Sequence, residues 1–196
     1  MWPEPITLRG QHVTLAPLSF DHAEDLSRAA ASVRGLWYTT IPRPDAVRDE
    51  IETRLAKQAS GTMLPFAQLL PDGRAIGMTT YMNIDAANKR VEIGSTWIGL
   101  DAQRTGLNTE AKLMLLEHAF DQLGCIAVEF RTHSMNQQSR RAIERLGAKL
   151  DGILRNHMIT EDGSLRDSAV YSILPHEWPA VRANLNWQLK RHAPLS

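Results

Sequence analysis

Between Gln103 and Thr109 the chain reads QRTGLNT, a polar loop with one glycine, and it runs directly into the apolar stretch EAKLMLLEHAF. A helix that begins there leaves several N–H groups unpaired and carries roughly half a positive charge at its start. Phosphate is the natural guest of such an end. The residues that could form the cradle are Gln103, Arg104, Thr105, Gly106, Leu107, Asn108 and Thr109. Gly106 is free to take positive φ, and Asn108 tolerates it. The same residues also read as an ordinary strand-to-helix loop capped by Asn108 or Thr109. Neither the G-x-G-x-x-G of a dinucleotide fold nor the Gly-Lys-Ser/Thr of a P-loop occurs. No histidine stands at metal-ligand spacing from a cysteine or another histidine, so no metal is expected.

The elements that must position this loop follow from pattern. Leu113, Leu116, Phe120 and Leu123 recur at helical intervals, with Met114 and Leu115 broadening the stripe toward full burial. Residues 12–18 alternate like a strand, and a helix follows with Ser19 and Asp21 as cap candidates. A second amphipathic helix spans 44–59, with Pro44 at its start. The Asp-Gly pair at 72 and 73 joins two strands as a hairpin, and 89–100 is a further strand. After the central helix come the strand CIAVEFRTH, a helix stopped by Gly147, a closing hairpin and a final helix. The order is that of a mixed α/β sheet in a single domain covering 1–196, with a core of 7–175 and a C-terminal helix over 176–192. That helix, with Trp178, Leu185, Trp187 and Leu189, leaves two placements open: back on the core, or over a partner subunit in a homodimer.

The chain has 196 residues, 43% of them hydrophobic, which is ample for one core. Lys+Arg and Asp+Glu both number 22, so the basic excess of a nucleic-acid binder is missing. Of the five tryptophans, Trp97, Trp178 and Trp187 read as packing residues because they are not interleaved with basic ones. The single cysteine, Cys125, reads as an inert buried thiol suited to a reducing compartment. No signal-type segment and no apolar run of about 20 residues appears, so a cytoplasmic protein off the membrane is expected.

The segments VEIGSTWIGL, QRTGLNTEA, NQQSRRAIERLGA and DGSLRDSAVYSILPHEW resemble, in that order and spacing, the GCN5-related N-acetyltransferases (GNAT), and within them the branch that acetylates ribosomal-protein N-termini. The likeness runs from ITLRGQHVTLAPL to EW. It implies an α/β (α+β) GNAT fold, with a central mixed, mostly antiparallel, splayed β-sheet flanked by helices, and acetyl-CoA as co-substrate. The loop Q/R-x-x-G-x-G/A of that family holds the CoA pyrophosphate, and Asn108 replaces its last small residue, bringing either an extra hydrogen bond or crowding. The strand STWIGL would part from FRTHS, and pantetheine would pair with the backbone of Trp97, Ile98 and Gly99 like an added strand. Asn136 would bind the CoA arm. The tyrosine by which many relatives protonate the thiolate is replaced by Ile143, and the resemblance passes that acid role to Ser139. By residue type alone, Asn136 and Ser139 read as a helix cap and a small polar surface residue.

Acetyl transfer to an amine needs a neutral nucleophile, a polarised carbonyl and a proton for the leaving thiolate. In the resembled family a backbone N–H near Ile98 would polarise the carbonyl, a contribution of roughly 2.7 to 4 kcal/mol at other acyl-transfer sites. An α-amine costs roughly 1 to 1.4 kcal/mol to deprotonate at neutral pH, and a lysine roughly 4.6. A modest base therefore suffices for an N-terminus. Glu92 in VEIG is the first candidate, His133 the second, and Tyr171 and His157 follow. The acceptor reads as a protein N-terminus or a small amine. Two other classes stay open: an acyl-CoA-binding regulator that has lost its acid and base, and a nucleic-acid module, which the neutral charge balance disfavours.

Overall fold

The computed structural model describes residues 2–33, 41–103, 105–160 and 162–192. Arg104, one of the loop candidates, lies outside them. A short hairpin of β1 (Leu8–Arg9) and β2 (Thr14–Pro17) leads to α1 (Ala23–Ser32). Of the two cap candidates, Ser19 takes the role: its hydroxyl accepts from the Asp21 amide, while His22 Nδ1 accepts from the Ser19 amide at 3.1 Å. α2 (Val47–Ala59) follows a turn opened by Pro44, whose fixed φ suits a helix start. β3 (Met63–Leu69), β4 (Ala75–Asp85) and β5 (Arg90–Ile98) form an antiparallel meander.

α3 (Leu107–Glu117) then crosses over to β6 (Ala127–His133), which lies parallel to β5. α4 (Gln137–Leu146), β7 (Lys149–Ile159), β8 (Leu165–Ile173) and α5 (Trp178–His192) complete the chain. The eight strands are ordered β1-β2-β3-β4-β5-β6-β8-β7, with β5 and β6 the one parallel pair of neighbours in the sheet. This is the mixed, mostly antiparallel sheet that the resemblance implies.

Two apolar layers sandwich the sheet. On one face Leu26, Ala30, Val47 and Ile51 of α1 and α2 pack on Ala67, Met78 and Trp97. On the other, Leu107, Ala111, Leu115 and Leu116 of α3 join Val181 and Leu185 of α5 over Phe66, Tyr81, Val128 and Phe130. Each fully buried leucine, valine or phenylalanine of these layers stabilises by about 1.5 to 3 kcal/mol, so the core holds α3 firmly. α5 packs back on its own core through Trp178, Val181 and Leu185. Trp178 stacks on Phe120 at 5.5 Å and donates its indole N–H to Asp121, while Trp187 stays exposed beneath Arg191. Cys125 is buried, and burial pushes its thiol up to about 11, which suits an inert core residue. Between Glu117 and Cys125 the helix widens into a π-helical turn at His118–Gln122, a feature that the apolar period does not announce. No described helix is long and apolar enough to cross a membrane.

Gly147 ends α4 at φ 107°, and a Cβ there would lie 2.9 Å from Val181 Cγ2 on α5. Gly147→Ala therefore meets both backbone strain and a contact, and a loss of roughly 1 to 3 kcal/mol is expected in urea unfolding at unchanged m-value.

Candidate active site

β5 and β6 pair in register only at Arg90 with Ala127, Val91 with Val128 and Glu92 with Glu129. Beyond that point β5 continues to Ile98 against β4, and β6 continues to His133 against β8, so the two strands part and leave a slot. The Gly99 amide donates to Ile76 of β4 at 2.8 Å, and Trp97 C=O also faces β4, since a Cβ on Gly77 would fall 2.2 Å from it. Strand alternation turns the Ile98 N–H and C=O the other way, toward the slot. Within Trp97–Gly99 it is thus Ile98 whose backbone faces the slot. Its carbonyl accepts from Gln103 Nε2 at 3.0 Å, so Gln103 reaches back from the loop to the slot strand.

Ahead of Ile98 the strand bulges. Thr80 pairs with Gly94 and Met78 with Trp97, which leaves Thr79 opposite both Ser95 and Thr96, and Ser95 adopts φ 48°.

The start of α3 lies just beyond β5. Gly106 stands at the N-cap with φ −66°. The positive φ expected there is therefore corrected, and Asn108 likewise lies within the helix rather than in the left-handed region. The reason is that the chain enters the helix directly. Thr105 Oγ1 accepts from the Leu107 amide at 3.3 Å, and Glu110 ties the first turn to the β1–β2 loop. Capping by Asn108 or Thr109 is corrected too, because both sit inside the first turn. Their own amides donate to no described residue and stand at the positive end of the helix. Asn108 Oδ1 is buried and accepts from no described group, so its side-chain amide also holds an open hydrogen-bonding position there.

The Glu110 carboxylate accepts from three successive amides, Gln11 at 2.8 Å, His12 at 2.6 Å and Val13 at 2.9 Å. A Cβ on Gly10 would fall 2.3 Å from Glu110 Oε2, so glycine is what lets the loop approach. An acid in the first helical turn is a faint sequence signal, and its long-range partners leave no trace in the sequence.

Glu92 closes the fork. It is buried on the face opposite α3, where Oε2 accepts from Asn83 Nδ2 at 2.7 Å and lies 3.4 Å from Arg131 Nε. Burial raises its carboxyl above the ordinary value, and Asn83 and Arg131 pull the other way. His133 is buried at the end of β6, with Nδ1 accepting from the Met135 amide at 3.1 Å, and burial lowers its pKa. His133 pairs in register with Ser168 of β8, whose hydroxyl lies 3.1 Å from His157 Nδ1, so three of the sequence candidates share this sheet face. Tyr171 does not join them. Its hydroxyl donates to Glu144 at 2.8 Å and accepts from Arg140 at 2.9 Å, both on α4, and burial raises its pKa.

Asn136 caps α4, and its Oδ1 accepts from the Ser139 amide at 3.0 Å. The cap leaves its Nδ2 without a described partner, and the half-buried Ser139 hydroxyl has none either. Ile143 is buried in the α3 and α5 layer. Two charged side chains that sequence reasoning passed over, Arg54 of α2 and Lys112 of α3, are buried against the bulge.

Comparison with known proteins agrees with this geometry. The profile of the acetyltransferase (GNAT) domain matches residues 12–149. A candidate ribosomal N-acetyltransferase, YdaF of Bacillus subtilis strain 168, is 29% identical over 174 residues, covering 86% of this chain and 94% of YdaF. The crystal structure of a GCN5-related N-acetyltransferase from Brucella melitensis superposes with a TM-score of 0.85 at 36% identity, over 98% of this chain and 87% of that one. RimJ of Mycobacterium smegmatis, in complex with CoA-disulfide, shares the fold with a TM-score of 0.74 at 23% identity, over 95% of each chain.

Glu110→Ala strands three amides and frees the start of α3. A loss of about 3 kcal/mol in chemical unfolding is expected, since hydrogen bonds to a charged group contribute roughly 1.5 to 3 each and are not additive. Equal midpoints for variant and parent would show that the three contacts carry no stability.

Proposed function

Because the chain belongs to the GNAT acetyltransferase family, we propose that it transfers the acetyl group of acetyl-CoA directly to a primary amine, the α-amine of a protein N-terminus. The observation that carries this reading is the slot itself. β5 and β6 part after Glu92 and Glu129, the Ile98 amide faces the gap, and α3, whose Asn108 and Thr109 amides donate to no described residue, begins after the loop that follows β5.

The residues present fit a long diphosphate thioester. The Asn108 and Thr109 amides, at the positive end of α3, receive the diphosphate, with Gly106 and Leu107 shaping the approach and Thr105 bracing the turn. The Asn108 side chain donates an additional hydrogen bond from Nδ2 in place of the family's small residue. The parted strands admit pantetheine alongside Trp97 to Gly99, and the Nδ2 of Asn136 binds the same arm. Gln103 yields its bond to the Ile98 carbonyl to the incoming chain.

In the transfer the Ile98 N–H donates to the thioester carbonyl as negative charge grows there. Glu92 takes the proton of the acceptor ammonium, directly or through one water, and the neutral amine attacks. A C–N bond forms and the C–S bond breaks, while the Ser139 hydroxyl passes its proton to the departing thiolate and regains one from the attacking nitrogen, which sheds its extra proton as it becomes the amide. No covalent enzyme intermediate is needed. The ribosomal assignment of YdaF supports a protein N-terminus as acceptor and a cytoplasmic setting. Ile143, packed in the core where many relatives carry a tyrosine, favours the alternative of a CoA-binding regulator without turnover.

A thiol-release assay with acetyl-CoA and peptides bearing free N-termini separates the two. For an enzyme, Ser139→Ala is expected to lower kcat by about 10²-fold or more with CoA affinity nearly unchanged. Tight CoA binding with no release from any acceptor, small amines included, would instead favour the regulator. The raised pKa of Glu92 sets a second expectation. The base is active only when deprotonated, so kcat/KM should climb with pH through a limb above the ordinary glutamate value of 4.5, and Glu92→Gln should remove that limb while lowering the rate. An unchanged limb in the variant would assign the base elsewhere, with His133 next in line.

A further inference from the structure

We propose that Lys112 and Arg54 are positioning residues that clamp the β5 bulge from opposite faces of the sheet and so hold the Ile98 amide in the slot. This rests on the reading above, in which that amide meets the thioester carbonyl.

The bulge places four hydroxyls on two strands, and the two cations divide them. From the α3 side, Lys112 Nζ donates to Thr96 Oγ1 at 2.8 Å and Thr79 Oγ1 at 3.2 Å, and the two threonine hydroxyls lie 2.8 Å apart. From the α2 side, Arg54 donates to Thr80 Oγ1 at 2.7 Å and Ser95 Oγ at 2.6 Å, with its Nε held by Glu50 at 2.7 Å. Thr79 and Thr80 adjoin on β4, and Ser95 and Thr96 form the bulge opposite them. Every hydroxyl at the irregular register is therefore bonded to a buried cation.

Burial makes the arrangement costly. Lys112 is 6% exposed and Arg54 2%. No carboxylate among the described residues pairs with Lys112, whose charge is met by hydroxyls alone, and burial lowers its amine to about 7. An apolar side chain at that position would serve the core better. What the lysine supplies instead is a fixed register. Ser95 holds a left-handed φ that a non-glycine residue keeps only when its surroundings over-determine it. Three residues further on lies Ile98, whose backbone direction depends on how many residues the bulge absorbs. Because Lys112 belongs to the helix whose first turn offers amides to the diphosphate, one rigid element sets both ends of the slot.

Lys112→Met tests the clamp, with three readouts: steady-state kinetics, CoA affinity by calorimetry, and the backbone amide shifts and hydrogen exchange of Thr96 to Ile98. The expected result is a 10- to 100-fold fall in kcat, since small misplacements cost that much. KM for acetyl-CoA and CoA affinity should stay within about twofold, and the Thr96–Ile98 amides should shift and exchange faster. Thr96→Val removes one hydroxyl at constant shape and should reproduce the effect should the lysine variant fail to fold, whereas Thr96→Ser should restore it. Amides that neither shift nor lose protection, or an unchanged kcat, would overturn the clamp. A parent protein inert toward every acceptor would sink the transfer reading, and the amide measurements would still decide the clamp on their own.

Discussion

The short parallel ladder between β5 and β6 is the constraint on which the rest of the molecule depends. Three paired residues hold the two halves of the sheet together, and after Glu92 each strand keeps only its outer neighbour. A sheet interior with unpaired N–H and C=O groups is expensive unless something else meets them. Here the gap is flanked by elements that cannot drift, since β5 is bonded to β4 on one side and β6 to β8 on the other. The unpaired backbone of Ile98 is the consequence, and its carbonyl already draws in Gln103. A slot of this kind favours an extended guest with its own amide groups, because such a guest completes the ladder that the protein leaves unfinished.

α3 links this slot to its own positive N-terminal end. Its apolar stripe is buried between the sheet and α5, so the helix axis is set by the core. Its first turn is set separately by Glu110, whose carboxylate gathers the amides of Gln11, His12 and Val13 and fits the positive helix end. Lys112, two residues further along, reaches the bulge of β5. Two demands are thus met from opposite faces of one helix, since Glu110 faces the N-terminal hairpin and Lys112 faces the sheet. A rotation of α3 to improve one of these contacts would break the other.

The sequence makes the architecture legible because its signals are local. Period 3.6 over Leu113 to Leu123, the Asp-Gly turn at 72 and 73 and the Gly147 stop each act within a few residues, and the structure has the corresponding elements. The loop at 103–109 was legible as a helix start but not in its conformation. Gly106 suggests positive φ by type, yet the structure gives it helical dihedrals, because the helix entry is fixed by Thr105 and Glu110. Glu92, His133 and His157 were found as residue types, and the sheet register brings them to one face. Arg54, Lys112 and Asn83 were missed for a single reason. Their meaning lies in partners 9 to 41 residues away in the chain, and a lone cation in an apolar helix carries no pattern of its own.

The surroundings of Glu92 bear on which amine the site favours. Burial raises its carboxyl, but Asn83 and Arg131 restrain the rise, so the group remains a moderate base rather than a strong one. A lysine acceptor would require about 4.6 kcal/mol to reach its neutral form at pH 7, and a moderate carboxylate offsets only a small part of that. An α-amine requires roughly 1 to 1.4 kcal/mol, within reach of a base that accepts the proton through a hydrogen bond or a single water. With Glu92 as the proposed base, this balance of burial, amide and guanidinium suits an N-terminal amine better than a side-chain amine, independently of any likeness to proteins that act on ribosomes.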